Sequence, residues 1–166
     1  MEGLILGIDP GSRATGYGVV SSQGNRLTCL DFGVIRPPVR LELYKKLDFI
    51  YKALLEIISK YSLQYAAVEQ VFHSVNSRTA LVLGEVRGAI VLAAVHGGLN
   101  VSGYSPSEIK QAVTGYGRAE KTQVQYMVRV LLGIRSSIPS DAADALAVAI
   151  CHSQRADLLL ANNVKV

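Results

Sequence analysis

Tryptophan is absent from this chain, and cysteine and methionine occur only twice each. Cys29 and Cys151 lie far apart, with no Cys-x-x-Cys pair and no histidine set beside either. That spacing excludes a disulfide framework and a zinc site, and reads as two reduced core thiols in a cytosolic protein. Charge is scarce too: charged residues make up 18% of 166 and hydrophobic residues 49%, which excludes a disordered chain. The length suits one domain with a proper core. Long hydrophobic runs are missing. The longest, from Gly88 to Val95, is bounded by Arg87 and His96 and falls far short of the ~20 residues of a membrane span. Met1-Glu2-Gly3 opens with an acid and runs straight into a strand pattern, without the layout of a secretory signal, so a cytoplasmic location is expected. No Ser-His-Asp or Cys-His arrangement, internal repeat or low-complexity segment stands out. The net charge of +4 leans toward a polyanionic partner and says nothing of fold.

What is present is an alternation of strand-like and helix-like stretches. Residues 3–9, 15–22 and 27–35 are β-like runs separated by turns at Pro10-Gly11 and Gly24-Asn25, which predicts an antiparallel meander. Arg36-Pro37-Pro38 breaks the pattern. Leu43, Leu47, Ile50, Leu54, Ile57, Ile58 and Tyr61 then recur at three- and four-residue spacing, predicting an amphipathic helix over 41–61. A short apolar strand, 65–68, ends in Glu69. A helix over 78–96 follows, rich in Gly84, Gly88, Ala89, Ala93 and Ala94; the preferred reading packs these on the sheet or a neighbouring helix, rather than on a second copy. Residues 100–104 form a last strand. Ser105-Pro106-Ser107-Glu108 is a capping-box start for the next helix, which ends at Gly115-Tyr116-Gly117. Residues 120–132 form another helix closed by Gly133. A last helix starts after Pro139-Ser140, and the pattern lapses from about 155. The domain is expected to span 1–155, with 156–166 as a fraying tail. One sheet with helices makes this an α/β chain.

Four carboxylates carry the chemistry. Asp9 and Glu69 each end an apolar strand, and two such strands lying side by side would bring them together. On its own, Asp9 reads equally well as the cap of the Pro10-Gly11 turn. Asp141 and Asp144 lie three apart at the start of the last helix. The helix dipole accounts for Asp141, but not for Asp144 among Ala, Leu and Val. Carboxylates clustered in an apolar edge need compensating cations. Hard oxygen donors suit Mg²⁺, and a pair of Mg²⁺ ions suits phosphodiester hydrolysis.

The same residues carry a resemblance. Gly7-Ile8-Asp9-Pro10-Gly11, Thr15-Gly16-Tyr17-Gly18, Glu69-Gln70-Val71-Phe72, Ala119-Glu120-Lys121 and Asp141-Ala142-Ala143-Asp144-Ala145-Leu146-Ala147 together resemble the RuvC family of Holliday-junction resolvases, collinearly over almost the whole chain. The resemblance implies an RNase H-like fold with a five-stranded mixed sheet and helices on both faces. It implies a homodimer that nicks opposing strands of four-way junction DNA in recombination and repair, with branch-migration proteins of the RuvA and RuvB type as partners. It implies Asp9, Glu69, Asp141 and Asp144 as catalytic metal ligands for two Mg²⁺ ions, with Mn²⁺ as a substitute, and 5′-phosphate products. Lys110 and Lys121 match basic residues at the DNA backbone, Lys121 also serving catalysis, and Phe72 matches an aromatic that stacks on bases. His73, Asn76 and Arg78 are neighbouring candidates for DNA contact. No membrane and no nucleotide cofactor are expected. The rivals are an ATP-binding protein of the actin and sugar-kinase type, which shares the Gly-x-Asp-x-Gly opening, a nuclease of the same fold acting on RNA–DNA hybrids or other branched DNA, and a non-catalytic junction binder.

Overall fold

Alternation along the strands decides which residues face which layer of this computed structural model, which describes residues 2–70 and 76–162, with the last helix's side chains to Arg155. The elements run β1 (Glu2–Asp9), β2 (Thr15–Gln23), β3 (Arg26–Ile35), α1 (Leu43–Lys60), β4 (Tyr65–Glu69), α2 (Ser77–His96), β5 (Asn100–Tyr104), α3 (Pro106–Thr114), α4 (Lys121–Leu132) and α5 (Ser140–Asn162). One five-stranded sheet has the order β3-β2-β1-β4-β5. The first three strands pair antiparallel, as the meander predicts, while β1–β4 and β4–β5 are parallel. The sheet is therefore mixed.

Successive strand residues point to opposite faces. Leu6, Ile8, Val19, Ala66 and Val68 face α1 and α2, where they pack with Ile50, Leu54, Val86 and Ile90. Ile5, Val20 and Ala67 face α3, α4 and α5, where Val113, Val124, Leu146 and Ile150 complete a second core. Two apolar layers thus sandwich the sheet. By the same period of two, Asp9 follows Ile5 and Gly7 onto the α5 face, and Glu69 follows Ala67. Ile8 pairs Val68 in the parallel register, so the two carboxylates emerge one step later from adjacent strand ends.

Helix α5 is the centre of the second core. Residues 142–153 are buried except Asp144, which explains why this helix is apolar on nearly every side. It lies directly on the strands because glycines let it. A Cβ on Gly7 would stand 2.1 Å from the Ala145 carbonyl oxygen, and one on Gly16 would stand 1.9 Å from that of Asp141. The helix continues to Asn162, past the lapse of sequence pattern near Arg155. Midway along it, the Nδ1 of buried His152 shares a 2.8 Å hydrogen bond with the Tyr104 hydroxyl, beside the Tyr65 ring. Its Nε2 has no partner among the described residues. Burial lowers the His152 pKa from its ordinary 6.5. A depressed folded-state pKa means that the unfolded chain binds the proton more readily, so stability is lost as pH falls below about 6.5. In urea unfolding, the wild type should lose stability relative to His152→Gln on going from pH 7.5 to 5.5, the difference between the two proteins isolating the histidine from the carboxylates that titrate over the same range.

One sequence expectation is corrected on α2, that its small residues all pack inward. By length and composition it is the one helix among the described residues long and apolar enough to cross a membrane, although no unbroken apolar run reaches that length. Its small residues divide: Ala93 and Ala94 are buried in the core, whereas Gly84 and Gly88 meet nothing within 4 Å and face open space. The helix carries apolar residues on both sides, but only one side is used by the sheet and α1.

Candidate active site

Each strand end delivers its carboxylate by a local device. Pro10-Gly11 ends β1, and the turn is closed by Thr15, whose hydroxyl donates to the Gly11 carbonyl at 2.8 Å. The turn-cap reading of Asp9 gives way here, since Thr15 ties the turn and the Asp9 carboxyl bonds Glu69 instead. The Gln70 amide donates to the Tyr104 carbonyl at 2.8 Å, which holds the exit from β4 against β5. On the facing wall, Ser105 and Glu108 form the expected capping box: the Ser105 amide donates to Glu108 Oε2 at 2.8 Å. That start aims α3 so that Lys110 reaches the cleft. Helix α4 begins at Lys121, with the Glu120 amide donating to Gln123 Oε1 at 2.9 Å.

Asp9, Glu69, Lys110, Lys121 and Asp144 line a cleft of about 260 Å³, with Pro106, Ile109, Val124 and Ala147 as its apolar floor. Three of the four predicted acids therefore share one concavity. Asp141 stands just outside, on the rim. Burial, and then the charges of Glu69, Asp144 and Asp141, push the Asp9 carboxyl up to about 8. Burial and Asp144 also raise Glu69, while its hydrogen bond with Asp9 and the charges of Lys121 and Lys110 pull it back. The two carboxyls are thus coupled, and both are held above the ordinary carboxylate range. Lys121 Nζ donates to Asp144 Oδ2 at 2.6 Å, and this bond raises the lysine's pKa.

Among the described residues no three acidic, histidine or cysteine side chains are arranged to hold a metal ion as they stand. Cations of the chain are engaged instead: Lys121 with Asp144, and Arg36 with Asp141 at 3.8 Å. The donor set nevertheless fits a hard divalent cation. Every donor is a carboxylate oxygen, and burial together with three acidic neighbours disfavours the charged form of Asp9, an imbalance that a hard cation would relieve. Arg36 was legible in sequence only as the end of a strand pattern. Of the other candidates, Asn76 is the N-cap of α2, its side chain accepting from the Arg78 amide at 2.9 Å, and Arg78 is exposed on the first turn. Phe72 and His73 lie outside the described residues.

Three comparisons bear on this arrangement. The model of the family described as crossover junction endodeoxyribonuclease RuvC matches residues 5–152. The protein of that name from Citrifermentans bemidjiense is 50% identical over 155 residues, covering 93% of this chain and 94% of the relative. That from Heliobacterium modesticaldum is 52% identical over 149 residues, covering 89% and 92%. Among solved structures, T. thermophilus RuvC in complex with Holliday junction substrate superimposes with a TM-score of 0.88 at 32% identity, covering 94% of this chain and 96% of the other. The yeast mitochondrial Holliday junction resolvase Ydc2, with a TM-score of 0.64 and 13% identity, covering 96% of this chain and 83% of the other, shares the fold alone.

Proposed function

The chain belongs to the RuvC family of crossover junction endodeoxyribonucleases and has an RNase H-like fold, and from that premise we propose that it resolves four-way DNA junctions by paired symmetric nicks. Nucleases of this family are metal-dependent. The observation that carries the proposal is the convergence of Asp9, Glu69 and Asp144 in one cleft walled by Lys110 and Lys121. A solvated surface would scatter these residues.

In the mechanism, residues 1–155 act as a single nuclease domain. Asp9, Glu69 and Asp144 would hold two Mg²⁺ ions, Mn²⁺ substituting, with Asp141 assisting from the rim; such ions would supply the charge to activate a water and stabilise the leaving oxygen in an in-line displacement. Lys121 leaves Asp144 and turns, with Lys110, to the phosphates of the strand, giving largely sequence-independent and salt-dependent affinity. Phe72 is assigned the stacking on bases at the opened crossover, and His73, Asn76 and Arg78 further contacts to DNA. The products carry 5′-phosphate and 3′-hydroxyl ends.

Two symmetric nicks need two sites, and α2 offers a seam. Leu81, Gly84, Gly88, Leu92 and Val95 follow one stripe, with Leu81 68% exposed, Leu92 49% and Val95 54%. Apolar stripes at three- and four-residue spacing bury against another helix, and a second copy would cover this one. A Leu92→Asp variant should sediment as a monomer where the wild type sediments as a dimer, and should lose paired nicking. Branch-migration proteins of the RuvA and RuvB type would supply the junction, in the cytoplasm. Substrate class is tested by metal-dependent cutting of a four-way junction, a flap and an RNA–DNA hybrid side by side. The junction should be cut preferentially; equal cutting of the hybrid would favour the rival nuclease.

A further inference from the structure

The acidic centre is bracketed by cations from two sides, and only one side belongs to the cleft. Lys110 and Lys121 line it from α3 and α4. On the other side stands Arg36, the first residue beyond β3. Its neighbourhood is set by register: Ile35 pairs with Thr15 and Val34 with Gly16, and Gly16 packs against the Asp141 carbonyl. The end of β3 therefore abuts the start of α5. Ile35 and Pro37 are buried on either side of exposed Arg36, so its backbone is pinned at both neighbours. A residue before proline is also restricted to extended conformations. The guanidinium is thus presented at the site by a rigid stretch of chain.

Its partner in this structure does not explain that rigidity. The contact with Asp141 is 3.8 Å long, and the side chains are 61% and 36% exposed. An open pair at that separation adds little to stability. Arginine offers a planar fork of donors matched to phosphate oxygens. A strand laid across the acidic centre puts one phosphate over the carboxylates and its neighbours on the two flanks. Lys110 and Lys121 serve one flank.

We infer that Arg36 binds the backbone phosphate on the opposite flank of the scissile one, with Asp141 holding the guanidinium in place until the DNA strand arrives. The inference rests on the reading of the protein as a junction nuclease. It adds a phosphate contact from the sheet's edge strand to those from α3 and α4, so that the substrate strand is gripped on both sides of the cut.

The test is equilibrium binding of a four-way junction, without divalent metal to prevent cutting, over a series of salt concentrations. Arg36→Gln should bind about tenfold more weakly and lower the slope of log affinity against log salt by about one, as expected for one lost phosphate contact. Arg36→Lys should restore the slope. Arg26→Gln, at the far end of the same strand, should match the wild type in both affinity and slope. An Arg36→Gln slope equal to that of the wild type would overturn the inference, even with cleavage reduced, because Arg36 would then act only on Asp141. Failure of the wild type itself to bind the junction would instead sink the underlying functional reading, and the inference with it.

Discussion

Replacing Asp9 by Asn is expected to abolish junction cleavage while leaving junction binding intact. The expected loss exceeds about a thousandfold in rate, equivalent to about 4 kcal/mol, since a bound cation stabilises the charge of the transition state by several kcal/mol. Asp9 is the acid whose environment depends most on the cluster: Glu69, Asp144 and Asp141 all add to the burial that pushes it up to about 8. Burial and those neighbours therefore favour its neutral form in the metal-free chain. Asn is neutral and of the same shape, so the substitution leaves the metal-free fold undisturbed. What it removes is the ability to become a carboxylate once a cation enters. Lys110 and Lys121, proposed to bind the phosphates, stand on α3 and α4 and are untouched. Single-turnover cleavage and gel-shift binding on the same protein preparation check both halves. A variant that cuts at near the wild-type rate would remove Asp9 from the metal site.

The second large effect is structural. Gly7→Ala should destabilise the protein by at least about 3 kcal/mol, at the upper end of what overpacking costs. The added methyl would meet the Ala145 carbonyl oxygen at 2.1 Å and the Ala149 nitrogen at 2.8 Å. Both are helix backbone, which cannot swing aside as a side chain can. Either α5 lifts from the sheet or β1 shifts, and both moves separate Asp9 from Asp144. Because a domain's whole stability is about 5–15 kcal/mol, the variant should show a lowered urea midpoint and should lose activity beyond its loss of folded protein. A midpoint within error of the wild type would mean that α5 does not pack on β1 as closely as described.

Most of the fold was legible because its signals are local. Alternation and turns marked the three-stranded meander, and the Ser105–Glu108 capping box marked α3. The two apolar strands ending in Asp9 and Glu69 lie side by side as expected, in parallel, and Asp144 joins them in the cleft. What escaped the sequence depends on distant partners. Arg36 looked like the residue before a proline break, and only the folded register brings it to Asp141. Likewise, Gly84 and Gly88 resemble Ala93 and Ala94 in composition, and which of them face the sheet depends on how α2 is rotated against α1. Helix α5 outran its pattern because, past Arg155, no apolar period marks its continuation. Membership of the family decides between the nuclease and the nucleotide-binding rival, a choice that Gly-x-Asp-x-Gly alone leaves open.

The central claim is that these carboxylates and their metal ions cut junction DNA. Its most direct test is cleavage of a mobile four-way junction, labelled on each strand in turn, with Mg²⁺ present or withheld. The account predicts symmetric nicks in two opposing strands with directly religatable 5′-phosphate ends, no cutting in EDTA, and no cutting by Asp144→Asn despite normal binding. Cutting in EDTA, or cutting by Asp144→Asn at the wild-type rate, would contradict it.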